Sequence, residues 1–301
     1  MRRCAVSGVK WKGWCPVHEL VVLSGKGGTG KTTLAASIGS YIDRLVFADA
    51  DVDAPNLHLL LETKLIEETP FYGSRKPVSD LERCTGCGLC TSLCRYGAIV
   101  NGKVDEHRCE GCEFCYHACP EQAIRLEEAL SGHINVSGTR TGPFVHARLG
   151  VAQENSGKLV SSLKKKAREI AQDGDYDFMI VDGPPGIGCP VIASISGADL
   201  TVIVTEPTAA GLHDLERVLD LAAHFEVPAV VCLNKYDLDP KKAAEVEHFC
   251  HEKGVPLVGR IRFSPEVVSA QLEGRVPGDE NALLRGQFTK IWKNILKRLD
   301  A

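Results

Sequence analysis

The sequence lacks three features that would point to a membrane, to secretion or to nucleic acid. No apolar run approaches the 18 or more residues that a membrane-spanning helix needs. The first residues are basic but contain no apolar stretch of the kind found in a secretory signal. The net charge of −4 argues against a general affinity for nucleic acid. These absences predict a cytoplasmic protein without a nucleic-acid or membrane partner.

The composition is that of a globular protein with one unusual component. Of the 301 residues, 44% are hydrophobic and 25% are charged, so the chain can bury a substantial core. Residues 1–18 are expected to form a disordered extension. The 13 cysteines are an odd number in a chain without a secretory signal, which favours a reduced compartment over a disulfide framework. Eight of them fall between Cys84 and Cys119, and this concentration indicates metal binding.

The clustered cysteines form two copies of one pattern. Residues 84–94 and 109–119 each read C-x2-C-x2-C-x3-C, and the copies lie about 25 residues apart. This run is typical of bacterial ferredoxins with two [4Fe–4S] clusters, in which the fourth cysteine of each run binds the other cluster. The predicted ligands are Cys84, Cys87, Cys90 and Cys119 for one cluster, and Cys109, Cys112, Cys115 and Cys94 for the other.

Two observations bear on that prediction. Zinc is the alternative metal, but zinc sites are usually built from isolated C-x2-C pairs and not from four cysteines in each run. The second run is followed by Pro120 as in a ferredoxin, whereas the first run is followed by Arg95. This departure changes a turn and removes no ligand.

A glycine-rich loop, "GKGGTGKT" from Gly25 to Thr32, fits the phosphate-binding pattern G-x-x-x-x-G-K-[ST]. It stands between an apolar stretch at 19–24, predicted to be a strand, and a stretch at 31–43 with helical spacing. Backbone N–H groups of residues 27–31 would surround phosphates at a helix N-terminus. Lys31 would neutralise the phosphates, and Thr32 would bind Mg²⁺.

An acidic residue completes this nucleotide site in the sequence. Asp182 ends the apolar stretch "YDFMIVD", as does the Walker-B acid that holds magnesium through water. An aspartate at a strand end can also simply cap a turn. Its combination with the glycine-rich loop favours the magnesium interpretation.

The order of segments predicts the fold class. From residue 156 onward, apolar strands alternate with helices, which is typical of a parallel sheet with helices on both faces. We expect an α/β protein with a mostly parallel P-loop sheet, carrying an inserted small α+β domain of the bacterial ferredoxin type. The expected ATPase domain comprises 19–63 and 130–301, and the ferredoxin domain 64–129. The stretch at 68–80 is expected to be turn-rich, and the chain after residue 130 a connecting segment.

Three motifs together resemble the MinD/Mrp/ParA superfamily of deviant Walker ATPases, and in particular its members with an inserted ferredoxin domain. They are "KGGTGKTT", "DADVDAPN" and "VDGPPG". The resemblance implies ATP and Mg²⁺ as cofactors and a homodimer that forms around ATP. It also implies that Lys26 crosses the dimer interface to the phosphates of the other subunit, where a cation assists phosphoryl transfer. The alternative for Lys26 is an ordinary solvated loop lysine.

The resemblance assigns roles to further residues. Lys26, Lys31 and Asp51 are the implied catalytic residues, with Asp51 positioning the attacking water. Asp49 is implied to lie near the Mg²⁺ that Thr32 and Asp182 hold. The implied nucleotide-binding residues are Gly25, Gly27, Gly28, Thr29, Gly30, Lys31, Thr32, Thr33 and Asn234.

The sequence is compatible with either adenine or guanine as the base of the bound nucleotide. Asn234, which the resemblance places against adenine, begins the stretch "NKYD" that ends at Asp237. This stretch also matches the N-K-x-D motif with which GTPases bind guanine. The lysine and loop patterns belong to the ATPase group, so we expect ATP.

The remaining cysteines and the last helix leave alternatives open. Cys189 follows Asp182 by seven residues and is either a thiol near a metal at the dimer interface or a packing residue. Cys232 and Cys250 are expected to be structural. The final stretch, with apolar residues at helical spacing from 284 to 299, is either a helix packed on the sheet or a membrane-binding tail.

The sequence thus predicts a dimeric ATPase that couples its nucleotide state to electron transfer through two [4Fe–4S] clusters, toward an unidentified redox partner. The alternative is an iron–sulfur assembly or carrier ATPase resembling Mrp. Such carriers use a C-terminal C-x-x-C, which is lacking here. A ParA-like positioning protein is a third class, but it leaves the cysteine runs unexplained.

Overall fold

The computed structural model describes residues 17–150, 156–279 and 281–299. Most of the expected N-terminal extension therefore lies outside the described residues, and the expectation of disorder remains a prediction. The strands in these ranges are β1 (His18–Ser24), β2 (Leu45–Asp49), β3 (Lys64–Ser79), β4 (Ile99–Val100), β5 (Lys103–Val104), β6 (Ile124–Gly138), β7 (Pro143–Leu149), β8 (Phe178–Pro185), β9 (Leu200–Thr205), β10 (Ala229–Asn234) and β11 (Leu257–Ile261).

Helices connect most of these strands. They are α1 (Lys31–Gly39), α2 (Leu89–Leu93), α3 (Phe114–Ala118), α4 (Ser156–Asp173), α5 (Cys189–Ile195), α6 (Ala209–His224), α7 (Pro240–Glu252), α8 (Pro265–Leu272) and α9 (Ala282–Leu299). A short 3-10 turn at Leu57–Leu59 follows β2.

One large sheet organises the described chain, in the order β11-β10-β9-β1-β8-β2-β7-β6-β3. The strands from β11 to β7 are parallel, whereas β6 and β3 are antiparallel to their neighbours. The expected α/β fold with a mostly parallel sheet is therefore confirmed. Because carboxyl ends of parallel strands meet at one edge, the loops that follow β1, β2, β8, β9 and β10 gather there.

The central parallel strands of the sheet are buried on both faces, which explains their continuous apolar sequences. On one face, Val21 and Val181 pack with residues of α4, α6 and α7. On the other face, Leu20 and Ile180 pack with residues of α1 and α9. Neighbouring residues of β1 thus point to opposite layers of the core, as the pleat of a strand requires.

The last helix belongs to this core. Leu284, Phe288, Ile291, Trp292 and Ile295 of α9 are buried. They pack in the same apolar cluster as residues of β1 and β11, so the apolar face of α9 covers this face of the sheet. Within the described ranges, no helix is long and apolar enough to cross a membrane.

The turn-rich stretch predicted at 68–80 and the connecting segment predicted after residue 130 are both wrong. β3 and β6 form a long antiparallel ribbon, from Lys64 opposite Gly138 to Ser79 opposite Ile124, and β6 also pairs with β7. These strands were not predicted because β3 contains prolines and because its pairing partners lie far away in the sequence, in β6. β3 lies at the sheet edge, where a proline can occur without removing a hydrogen bond between strands. The expected domain boundary at 64 therefore coincides with the start of β3, and the one at 129 falls within β6, so both strands of the ribbon belong to the large sheet.

The cysteine runs lie between the far ends of that ribbon, in residues 80–123, which we call the cysteine module. Its two halves repeat the same backbone at an offset of 25 residues. Gly88 and Glu113 both have positive φ (73° and 61°) and precede α2 and α3. Gly97 and Gln122 match in the same way, with φ of 60° and 49°. Positive φ is unusual for glutamate or glutamine, so the repeat is maintained in three dimensions despite different side chains.

Candidate functional site

The glycine-rich loop wraps the start of α1. Gly28 and Gly30 have φ of +78° and +97°, which glycine adopts without strain. A Cβ atom at Gly30 would collide with the side-chain amide of Asn234, which donates a hydrogen bond of 2.8 Å to the Thr29 carbonyl. Lys31 is only 7% exposed at the head of the helix. The loop is therefore fixed in shape by β10 as well as by its own sequence.

A cavity of about 810 Å³ opens in front of this loop. It extends from the loop, past the turn after β8, to the residues that follow β11 and to α8. The predicted site residues that line it are Gly27, Gly28, Gly30, Lys31, Thr32, Thr33, Asp51 and Asn234. The predicted residues outside its lining are Gly25, Lys26, Thr29, Asp49 and Asp182. The fold thus collects residues from at least five segments of the chain at one edge of the sheet, namely 27–33, 51–60, 184–191, 234–235 and 261–271.

Asp182 lies behind the loop with an unpaired carboxylate oxygen. The residue is 1% exposed, and its Oδ1 has no hydrogen-bond partner in the described part of the chain. Burial raises the pKa of Asp182 to about 7, against the opposing effects of a hydrogen bond with Thr32 and the charge of Lys31. A buried, unpaired carboxylate oxygen beside a hydroxyl fits a divalent cation. Thr32 and Asp182 are the residues that would hold Mg²⁺.

Asp49 is opposite Asp182 across β2 and β8 but faces different partners. Its Oδ1 accepts the N–H of Asp51 at 3.1 Å, and its Oδ2 accepts the N–H of Leu57 at 3.1 Å. Burial and the neighbouring Asp182 raise the pKa of Asp49. These hydrogen bonds shape the loop after β2, and that loop carries Asp51 to the wall of the cavity.

Lys26 is held within its own chain. Its Nζ lies 2.5 Å from Oε1 of Glu206, whose Oε2 lies 3.2 Å from Nζ of Lys235. Lys235 also donates to the Gly28 carbonyl at 3.0 Å. Burial alone would raise the pKa of Glu206, but the hydrogen bonds from the two lysines lower it. Glu206 was not predicted from the sequence, because its place directly after β9 belongs to no motif.

The far end of the cavity is formed by residues that no motif had indicated. Phe263, Val267 and Gln271 line it. Gln271 Nε2 donates a hydrogen bond of 2.6 Å to the hydroxyl of Thr33, so α8 is attached to the start of α1. These contacts enclose the end where a base would lie.

In the cysteine module, one predicted ligand set shares a cavity. Cys84, Cys87, Cys90 and Cys119 all line a cavity of about 260 Å³. Backbone N–H groups point to several cysteine sulfurs in the module. Ala98 donates to Cys94 at 3.3 Å, and Ala123 donates to Cys119 at 3.3 Å. These two bonds occupy equivalent places in the repeat.

The second predicted set is partly buried. Burial raises the pKa of Cys115 to about 11, with contributions from nearby Cys109 and Cys112. Cys94 packs against the same small cluster as Cys115. In the ranges that the structure describes, no group of three or more His, Cys, Asp or Glu could hold a metal ion. The four residues of the first set nevertheless share one cavity, and their thiols are donors that either a [4Fe–4S] cluster or zinc would take.

The other cysteines differ in exposure. Cys189 is exposed at the start of α5, next to Gly188 and Pro190 of the cavity wall. Cys232 and Cys250 are buried, and burial raises their pKa values to about 12 and about 11, as expected for unreactive packing residues. Cys4 and Cys15 lie outside the described residues.

The chain is similar to known nucleotide-binding proteins in sequence and in fold. Residues 20–277 match the family described as CobQ/CobB/MinD/ParA nucleotide binding domain. An uncharacterized protein of Methanocaldococcus jannaschii is 32% identical, over 73% of this chain and 78% of that one. The septum site-determining protein MinD of Bacillus subtilis is 23% identical, over 85% of this chain and 80% of that one. The structure of MinD from Pyrococcus horikoshii complexed with Mg-ADP superposes with a TM-score of 0.57 at 19% identity, covering 93% and 96%.

Proposed function

The chain belongs to the CobQ/CobB/MinD/ParA nucleotide-binding family, and from this premise we propose that it is a dimeric ATPase whose nucleotide state controls electron transfer through two [4Fe–4S] clusters. Nucleotide binding and ATPase activity follow from membership of this family of P-loop ATPases. The dimer, the clusters and the redox role are the parts that we add. Each addition is supported by particular residues.

The observation that carries the redox part is the shared cavity in the cysteine module. Cys119 is separated from Cys90 by the whole second run, yet it lines the same cavity as Cys84, Cys87 and Cys90. These four are the ligands that the ferredoxin pattern assigns to one cluster. When bound, such a cluster would supply one-electron transfer. The N–H groups of Ala98 and Ala123 would hydrogen-bond to ligand sulfurs, an arrangement that affects the reduction potential.

The proposed ATP site uses residues of the glycine-rich loop, of the end of β8 and of the cavity wall. Lys31 and the loop amides would bind the phosphates, and Thr32 and Asp182 would hold Mg²⁺. Asp51 would orient the attacking water from the cavity wall. Lys26 would leave Glu206 and contact the phosphates of a second subunit, supplying positive charge where negative charge develops.

The sheet supports a link between the two parts. β6 begins beside the cysteine module and pairs along its second half with β7, which in turn pairs with β2. β2 ends at Asp49, whose carboxylate shapes the loop of Asp51. The paired strands β2, β7 and β6 therefore connect that loop to the cysteine module. Through them, a change in the loop on nucleotide binding could reach the module.

Anaerobic purification tests the cluster assignment. We expect about eight iron and eight sulfide per chain, because two ferredoxin runs supply eight thiolates. Cys87→Ser should disrupt mainly the first cluster, leaving the second detectable by electron paramagnetic resonance. A non-hydrolysable ATP analogue should shift the reduction potential of the wild type. Zinc without visible absorption in anaerobic protein would refute the redox proposal and leave the ATPase standing.

The exposure of Cys87 and Cys112 favours a second function, the assembly or delivery of clusters by a carrier resembling Mrp. A cluster with exposed ligands can be exchanged with an acceptor. Mixing the reconstituted protein with an apo-ferredoxin distinguishes the two. Transfer of iron and sulfide within minutes supports the carrier, whereas repeated reduction and oxidation without loss supports electron transfer.

A further inference from the structure

The N-K-x-D stretch of this chain is turned inward. Asn234 donates to the Thr29 carbonyl at 2.8 Å, and Lys235 donates to the Gly28 carbonyl at 3.0 Å. Both side chains therefore fix β10 to the phosphate-binding loop. Asp237, the residue whose carboxylate binds guanine in GTPases, has a separate set of partners.

Both carboxylate oxygens of Asp237 accept hydrogen bonds from one loop. Oδ1 accepts the backbone N–H of Phe263 at 2.7 Å, and Oδ2 accepts Nε of Arg262 at 3.0 Å. Arg262 and Phe263 follow β11 and line the cavity, together with Ile261 and Ser264. The carboxylate thus holds the part of the wall that would face a nucleotide base. We call residues 261–264 the base loop.

We propose that Asp237 is a positioning residue that selects ATP over GTP by holding the base loop, instead of by binding a base itself. The inference rests on the proposed function, because it assumes that the cavity binds a nucleoside triphosphate. Guanine carries N–H donors on its N1 and N2 that need a nearby acceptor. In this chain the carboxylate that would accept them already pairs with Phe263 and Arg262.

The pairing of Asp237 with the base loop affects the binding of guanine and of adenine differently. A guanine in this cavity would leave its donors without the motif's acceptor, and unpaired polar groups weaken binding strongly. Adenine presents no N1–H and loses no acceptor when the Asp237 carboxylate pairs with the base loop. Its binding still depends on the base loop, so Asp237 affects ATP affinity indirectly.

The test compares Asp237→Asn with Asp239→Asn, its matched control two residues away. Asp239 caps α7 by accepting N–H groups of Lys241 and Lys242, and it does not line the cavity. Both variants remove one negative charge from the same turn. Arg262→Ala is a third variant, which leaves the Asp237 carboxylate in place and removes one of its partners. Affinities of non-hydrolysable ATP and GTP analogues are measured by calorimetry with Mg²⁺, and melting temperatures are measured without nucleotide.

We expect the wild type to bind the ATP analogue at least about tenfold more tightly than the GTP analogue. Asp237→Asn should lose about tenfold or more in ATP affinity, because the amide places an NH2 donor where one of the two accepting oxygens was and removes the charge that pairs with Arg262. Arg262→Ala should lose less, and Asp239→Asn should match the wild type. The ratio of ATP to GTP affinity should fall toward unity in Asp237→Asn, which a change in stability alone would not produce.

Two results would overturn the inference while leaving the ATPase intact. One is a wild type that binds the GTP analogue as tightly as the ATP analogue and loses only GTP on Asp237→Asn. The other is a folded Asp237→Asn with unchanged ATP affinity and unchanged ratio. If Asp237→Asn does not fold, an unchanged ratio in Arg262→Ala overturns it. A wild type that binds neither analogue, with the same result for Lys31→Ala, refutes the proposed function itself.

Discussion

Lys26 is the residue whose contacts in one subunit differ most from those proposed for the dimer. In the single chain it pairs with Glu206, and the Lys26 side chain is 34% exposed. Ion pairs with this degree of exposure contribute less than about 1 kcal/mol. The pair can therefore be exchanged for a phosphate of the second subunit at small cost. Lys31, in contrast, is buried and stays with its own loop.

Lys26→Ala should bind ATP with nearly unchanged affinity, because Lys31 and the loop amides remain. Its hydrolysis should fall by up to about 10³-fold, near the lower limit for arginine fingers, since a lysine lacks their bidentate geometry. Steady-state hydrolysis and calorimetric affinity, measured on the same preparation, separate the two effects.

Mixed dimers decide whether Lys26 acts on its own subunit or on the other. In a dimer of Lys26→Ala with Asp51→Ala, a lysine acting in its own subunit leaves both sites incomplete. A lysine acting across the interface gives one complete site, because the chain that keeps Asp51 receives the intact Lys26 of its partner. We therefore expect restored hydrolysis, and wild-type chains should likewise rescue one site of Lys26→Ala. Absence of that rescue in proven mixed dimers would contradict the role across the interface.

Residues close together in sequence were the ones that sequence reasoning could assign. The glycine-rich loop and the end of β8 carry complete local patterns, and the structure brings Lys31, Thr32 and Asp182 together. Glu206 and Gln271 have no such pattern. Their partners, Lys26 and Thr33, lie far away along the chain. Only the order of strands in the sheet makes them neighbours.

At the scale of elements, α9 packs so closely on β11 that single substitutions can test the contact. Ile291 of α9 is 1% exposed, and a Cβ added at Gly259 of β11 would collide with its Cγ1. Glycine is therefore required here by close packing, since its φ lies outside the left-handed region. The helix approaches the strand over the one position that has no side chain.

Gly259→Ala should destabilise the protein by about 1–3 kcal/mol through overpacking. Ile291→Ala should cost about 2–5 kcal/mol through the cavity that it leaves. The double variant should cost less than the sum, because the new methyl group enters that cavity. Urea unfolding of the three variants measures this. Additive costs would show that the two residues do not share the space.

The strands were predictable to different degrees for a physical reason. The parallel strands are buried on both faces, so their sequences are short apolar runs followed by helices. β3 is largely exposed along its first half and contains Pro70 and Pro77, which only an edge strand accepts. Its partner β6 begins after the whole cysteine module. No pattern within a short window could have revealed that pairing.

At the scale of the whole molecule, the proposed dimer places Cys189 near a second subunit. The residue is exposed and adjoins the cavity wall at Pro190. If two chains close around ATP, its accessibility should decrease, and thiol reactivity requires access.

Alkylation of Cys189 should therefore slow several-fold when a non-hydrolysable ATP analogue forms the dimer. Mass spectrometry follows the modified peptide, and buried Cys232 serves as an internal control that stays unmodified in both states. Lys31→Ala, which should not bind the analogue, should show no slowing. An unchanged rate in a proven dimer would place Cys189 away from the interface.

The meeting of Ser79 with Ile124, at the far end of the β3–β6 ribbon, bears on how such a protein arose. Two strand ends that face each other in an antiparallel pair are as close as a hairpin turn requires. A simple turn there would close the ribbon without moving any other strand. Such a tip is also the kind of place where a foreign domain enters a chain with the least disturbance. We infer that the tip of the ribbon is a place at which a nucleotide-binding protein could acquire such a module by one insertion, with the pairing of β3 and β6 kept.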